Sequence, residues 1–119
     1  MADGAIVDDS ELERCVIGIR SVIRGGSRLE NVVMMGADAF ECPHDLARNH
    51  ALGRPDIGVG PDCLIRKAII DKNARIGAGC RLSPKGMPEK WENEALFVRD
   101  GVIVVKKGAV VPPGTVVGE

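Results

Sequence analysis

The chain has 119 residues, 16 lysines and arginines against 17 aspartates and glutamates, and a formal net charge of −1. That length makes one domain, and the even charge balance removes the electrostatic case for a nucleic-acid partner. No apolar run approaches the roughly 20 residues of a membrane-spanning helix, and Met1-Ala2-Asp3-Gly4 is not a signal peptide, so no membrane partner and a cytoplasmic location are expected.

From Ser10 onward a small residue is followed two positions later by an aliphatic one. The pairs are Ser10/Leu12, Cys15/Ile17, Ser21/Ile23, Ser27/Leu29 and Val33/Met35, then Cys63/Ile65, Ala68/Ile70, Ala74/Ile76 and Cys80/Leu82, and finally Ile103/Val105, Ala109/Val111 and Thr115/Val117. Both members of a pair point inward from a short strand, because strand side chains alternate between faces. Most steps are six residues, which would scatter the apolar groups around a helix turning at about 3.6 residues. A short unit at fixed period is instead the signature of a solenoid. The pattern predicts an all-β fold: a left-handed parallel β-helix of hexapeptide repeats with three short strands per coil. It forms a single domain over residues 1–119, with protruding loops at about 40–56 and 83–99. Scarce aromatics suit a narrow interior filled by aliphatic ladders.

Two steps are five residues long, Leu12 to Ile17 and Ile65 to Ile70. With three faces A, B and C and Leu12 on A, Ile17 falls on B, Ile23 on C, Leu29 on A and Met35 on B. If residues 40–56 replace the next corner, Val59 falls on C, Ile65 on A, Ile70 on B, Ile76 on C and Leu82 on A. Both short steps then share the A-to-B edge. The run Ser83 to Arg99 is a second loop on that edge, after which Val105 takes face B, Val111 face C and Val117 face A. Both loops are long enough to be functional or interfacial. Neither end carries a capping helix, so the N-terminal coil is expected to be covered by another domain or subunit, or else to be prone to aggregation.

Three motifs with chemical potential have plainer readings. Gly25-Gly26-Ser27-Arg28-Leu29 resembles a phosphate loop, but Ser27 and Leu29 keep the repeat register and no helix follows to offer its N-terminus, so a corner turn is expected. His44, His50 and Cys42 lie in the first loop without a second cluster to complete a metal shell, so no metal site is assigned. Cys15, Cys63 and Cys80 take the small inward position and are read as compact hydrophobes. Cys63 and Cys80 would stack about 4.8 Å apart, but a disulfide is disfavoured inside a cell.

Lys72 and Lys107 are more informative. Each is the second corner residue after a face B aliphatic, Ile70 and Val105, so the two ammonium groups stack in successive coils and repel. Asp71 beside Lys106 offers partial relief, giving a solvated charge ladder. A phosphate or sulfate accepting from both lysines would relieve it further.

Several strings carry a family resemblance: Cys15-Val16-Ile17-Gly18-Ile19-Arg20-Ser21, Met34-Met35-Gly36-Ala37-Asp38, Ile57-Gly58-Val59-Gly60, Ala68 to Gly77, and Arg99-Asp100-Gly101-Val102-Ile103-Val104-Val105. Together the chain resembles, from about Asp9 to Val117, the C-terminal region of ADP-glucose pyrophosphorylase (glucose-1-phosphate adenylyltransferase), closest to the plant and cyanobacterial-like branch. That family makes ADP-glucose and pyrophosphate from ATP and glucose 1-phosphate in glycogen and starch synthesis. The resemblance implies that this chain is the β-helix domain alone. Chemistry, Mg and ATP belong to an N-terminal nucleotidyltransferase domain with no counterpart here, so no cofactor or catalytic residue is expected and the chain alone should be inactive. The implied partners are that domain, in the same or a companion chain, further subunits of a tetramer, and a phosphorylated effector. A plant source would imply a plastid, although no transit peptide is seen. The family's effector-binding lysines fall on Lys72 and Lys107. Departures are Ala39-Phe40, where the family commonly has two tyrosines, and a divergent loop from Pro43 to Arg54. The alternatives are a stand-alone hexapeptide-repeat acyltransferase or carbonic-anhydrase-like trimer, which would need a histidine on a coil, and a non-catalytic scaffold.

Overall fold

A computed structural model describes residues 5–37, 41–88 and 90–118. Its inward side chains form three ladders of parallel strands in register. Face A stacks Leu12, Leu29, Ile65, Leu82 and Val117. Face B stacks Ile17, Met34, Ile70 and Val105, and face C stacks Val7, Ile23, Val59, Ile76 and Val111. These are the three sides expected from the repeat, and the ladders form one continuous apolar core.

One rung differs. Val32 and Met34 point inward, while Val33 and Met35, the expected pair, are 37% and 45% exposed. The step from Leu29 to Met34 is therefore five residues, like Leu12 to Ile17 and Ile65 to Ile70. All three five-residue steps cross the A-to-B edge through a left-handed residue: Arg14, Asn31 and Lys67, with φ of 51°, 55° and 47°. The missing residue is compensated by this backbone twist, and Arg28–Met34 and Leu64–Ile70 run through the edge as single seven-residue strands. In Val32-Val33-Met34-Met35 either parity buries an apolar pair, so composition could not choose the register.

The two loops are more ordered than expected. Pro43–Leu52 is a helix. Pro43 fits its first turn, the Asp45 carboxylate accepts the Cys42 backbone N–H at 3.2 Å, and Gly53 ends it at φ 67°. In the second loop, Lys90–Glu92 and Leu96–Arg99 form an antiparallel extension of Val102–Val105. Its Leu96 and Val98 are 1% exposed and close the C-terminal end of face B. The first coil, by contrast, is open among the described residues: Val7 and Cys15 are half-buried and Leu12 is exposed, where Ile23, Val32 and Leu29 one coil later are fully covered.

The small residues on the C-to-A edge are not inert filler. Ser10 Oγ donates to the Arg24 carbonyl (2.9 Å), Ser27 Oγ to Gly60 (2.8 Å), Cys63 Sγ to Gly77 (3.1 Å) and Cys80 Sγ to Pro112 (3.2 Å). Every acceptor belongs to the turn of the next coil, so one donor per coil stitches neighbouring turns along the prism. Reading the cysteines as hydrophobes was thus incomplete: a thiol here does the work of a hydroxyl. Cys63 and Cys80 are free thiols, and the neighbouring Cys80 thiol together with burial pushes the Cys63 thiol well above its ordinary value.

Candidate functional site

Lys72 and Lys107 occupy the same corner of successive coils. Ile70 pairs with Val105 before them and Arg75 with Val110 after them. Between these rungs the Asp71 N–H donates to the Val105 carbonyl (3.0 Å) and the Gly108 N–H to the Lys72 carbonyl (2.9 Å). Asn73 and Gly108, at φ 61° and 67°, supply the left-handed turn that carries the chain from face B to face C. Lys72 is half-buried and Lys107 exposed. The backbone therefore aligns the two positions on one edge, as the repeat spacing required.

The charges around them differ from the expectation. Asp71 does not meet Lys106, since its carboxylate accepts the Lys72 backbone N–H at 2.7 Å. Lys106 turns instead to the hairpin, donating to Glu92 Oε2 at 2.8 Å and to the Asn93 carbonyl at 3.0 Å. That hydrogen bond, reinforced by the Lys106 charge, holds the Glu92 carboxyl below its usual value. Lys106 is thus neutralised by a residue fourteen positions away in sequence, which only the folded hairpin brings near. Sequence reasoning missed Glu92, although Asp100-Gly101 between apolar runs was a readable hairpin signal.

The first loop holds a second polar constellation that sequence reasoning also missed. Asn49 is fully buried. Its amide donates to Glu41 and to Asp56 (3.0 Å), and its carbonyl accepts Arg54 Nε (2.8 Å). Glu41 also pairs with Arg75 at 3.1 Å and accepts the Ile57 N–H. Burial raises the Glu41 carboxyl, but the Ile57 N–H, Asn49 and Arg75 outweigh it and leave it lowered. The network clamps the helix to face C, and every polar partner in it is accounted for, so it reads as architecture. A cleft of about 380 Å³ between this helix and the C-to-A edge is lined by Leu46, His50, Arg24 and Arg54.

Among the described residues no group of histidines, cysteines and carboxylates could hold a metal. His44 and His50 lie on the helix, not on a coil, so the histidine that a trimeric acyltransferase or carbonic-anhydrase-like site would need is not where that chemistry requires it. Gly25-Gly26 is a corner on the C-to-A edge, with Gly26 at φ 80° and its N–H bonded to the Asp9 carbonyl (3.0 Å). Ala39 and Phe40 lie outside the described residues. Among the described residues no helix is long and apolar enough to cross a membrane.

Comparison with known families agrees with the architecture. The model of the family described as the GLGC left-handed parallel β-helix domain matches residues 1–116. The chain therefore belongs to that family, consistent with the C-terminal domain of ADP-glucose pyrophosphorylase.

Proposed function

We propose that this chain is the regulatory and assembly domain of a glucose-1-phosphate adenylyltransferase, and that Lys72 and Lys107 hold a phosphorylated effector. The observation that carries the reading is the stacking of these lysines on one edge, in coils bonded through Gly108 N–H and the Lys72 carbonyl. A dianionic phosphate accepting from both would offset their mutual repulsion. Catalysis, with its ATP and Mg, resides in a nucleotidyltransferase domain of the same or a companion chain. The chain's role is to help assemble the oligomer and to pass the state of the effector edge to that domain.

A complete enzyme carrying this domain tests the reading. Each charged hydrogen bond contributes about 1.5–3 kcal/mol, so Lys72→Gln or Lys107→Gln should raise the activator concentration needed for half response about tenfold or more. The unactivated rate should change little. Equal losses in the activated and unactivated rates would overturn the effector assignment. ADP-glucose formation by the purified 119-residue chain alone would overturn the division of labour.

A further inference from the structure

We infer that the cleft between helix 43–52 and the C-to-A edge binds a small monocarboxylate with an apolar body. The inference goes beyond the function proposed above and does not rest on it, because Lys72 and Lys107 lie on the B-to-C edge, at the other border of face C.

The cleft, of about 380 Å³, follows from the way the helix is laid against the coils. Leu46 and His50, one helical turn apart, line it from the helix. The opposite wall is formed by the turns of three successive coils, at Pro61, Ala78 and Pro113. Leu46 is 37% exposed, and the three turn residues are exposed as well. Apolar surface therefore stays uncovered on both walls, under a helix whose anchoring contacts are polar.

Two arginines that also line the cleft are held in place by the fold. Asn49 is fully buried; its backbone carbonyl accepts the Arg54 N–H (2.8 Å) and its side-chain carbonyl accepts Arg54 Nε (2.8 Å). The inner edge of that guanidinium is thus fixed, and among the described residues its two terminal nitrogens make no hydrogen bond or ion pair. Arg24 donates from one terminal nitrogen to the Ile57 carbonyl (3.3 Å) and approaches Asp56 with the other (3.5 Å). Side chains already ordered by the fold lose little further freedom when a ligand arrives, which favours binding.

The charges select the ligand. Among the lining residues the two arginines meet one carboxylate, Asp56, which is engaged by Asn49 (3.0 Å) and Arg24. Asp62, beside Pro61, is exposed and lies outside the lining, and Glu41 is committed to Asn49, Ile57 and Arg75. One positive charge is left, which a single carboxylate offsets and a phosphomonoester dianion exceeds. The outer end of Arg54 presents two parallel N–H groups, the geometry that a carboxylate accepts as a pair. An apolar body then has Leu46 and the two prolines to cover.

The test titrates the full 119-residue chain at neutral pH with benzoate, benzyl alcohol and phenyl phosphate as probes, followed by amide NMR shifts. Benzoate should give saturable shifts centred on Leu46, His50, Arg54 and Ala78, and bind more tightly than either other probe. Arg54→Gln and Leu46→Glu should each weaken it about tenfold or more, whereas Lys72→Gln should leave it unchanged. Arg54→Gln touches the Asn49 network, so Leu46→Glu, which breaks no bond there, is the second variant; unchanged Asn49 side-chain signals confirm that the helix stays docked. Benzyl alcohol binding as well as benzoate would overturn the role of the arginines, and tighter binding of phenyl phosphate would overturn the monocarboxylate. Shifts that do not saturate, that ignore both cleft variants or that vanish with Lys72→Gln would overturn the site itself and leave the proposed function standing.

Discussion

Replacing Ser27 by alanine isolates the stitch between coils. Ser27 is 2% exposed; its Oγ donates to the Gly60 carbonyl (2.8 Å) and accepts the Cys63 N–H (3.1 Å). Alanine changes volume little but strands that buried N–H, which costs about 1–3 kcal/mol, and deletes a donor bond contributing about 1 kcal/mol. We expect Ser27→Ala to lose about 2–3 kcal/mol in all. With a urea m-value of about 1–3 kcal/mol/M, the midpoint should fall by about 1–2 M at unchanged m. Ser27→Cys keeps a weak donor at a place where Cys63 and Cys80 already show sulfur to be accommodated, so it should lose only about half as much. Urea unfolding followed by circular dichroism gives the stabilities, and hydrogen exchange at the Cys63 amide localises the effect. A loss under about 0.5 kcal/mol for Ser27→Ala, with Cys63 exchange unchanged, would refute the claim that side chains join the coils on this edge.

Three other perturbations probe separate parts of the prism. At Gly77 an added Cβ would lie 2.5 Å from the Pro113 backbone nitrogen of the next coil, so Gly77→Ala should cost about 2–3 kcal/mol by the same unfolding assay. At Lys67, held at φ 47°, glycine should be neutral or stabilising by about 0.5 kcal/mol and valine destabilising by more than about 1 kcal/mol; equal stabilities would deny any strain at the A-to-B edge. Glu41 is lowered from 4.5, so the stability it supplies is complete above pH 4.5 and disappears as pH falls through the lower folded value. Helix 43–52 should accordingly loosen in acid, seen as faster Asn49 side-chain exchange, and Glu41→Gln should remove most of that pH dependence.

The ladders were legible because a β-helix repeats one local rule. Each inward pair reports its own face, and five-residue steps on a common edge determine how the coil closes. Legibility failed where several physical solutions satisfied the same residues. Val32-Val33-Met34-Met35 is apolar in both parities, and only the left-handed Asn31 decides between them. The helix was obscured because its docking face is polar: Asn49 is buried by hydrogen bonds to Glu41, Asp56 and Arg54, so no apolar period announced it. Glu92 was hidden because its approach to Lys106 depends on a hairpin packed against the last coil. The stacking of Lys72 and Lys107 was readable, since it follows from counting residues after Ile70 and Val105.

The three edges divide structural and chemical work between them. On the C-to-A edge the small donors Ser10, Ser27, Cys63 and Cys80 add side-chain bonds to the backbone bonds between coils, such as Gly26 N–H to the Asp9 carbonyl. On the A-to-B edge Arg14, Asn31 and Lys67 must accept a left-handed backbone. On the B-to-C edge the backbone closes each turn, Ala37 N–H bonding Ile19, Asn73 N–H bonding Gly36 and Gly108 N–H bonding Lys72 at 2.9–3.1 Å, and Arg20 Nε adds a bond to the Ala37 carbonyl (3.1 Å). The side chains at the matching position, Ile19, Gly36, Lys72 and Lys107, share no size, polarity or charge. Of these, Gly36 is required by the closure, since at φ 94° a Cβ would collide with the Ile19 carbonyl, whereas at Lys72 and Lys107 an ammonium group can be selected for what it binds at little cost to folding. Positions 72 and 107 are thus places where a change of ligand chemistry would leave the prism intact.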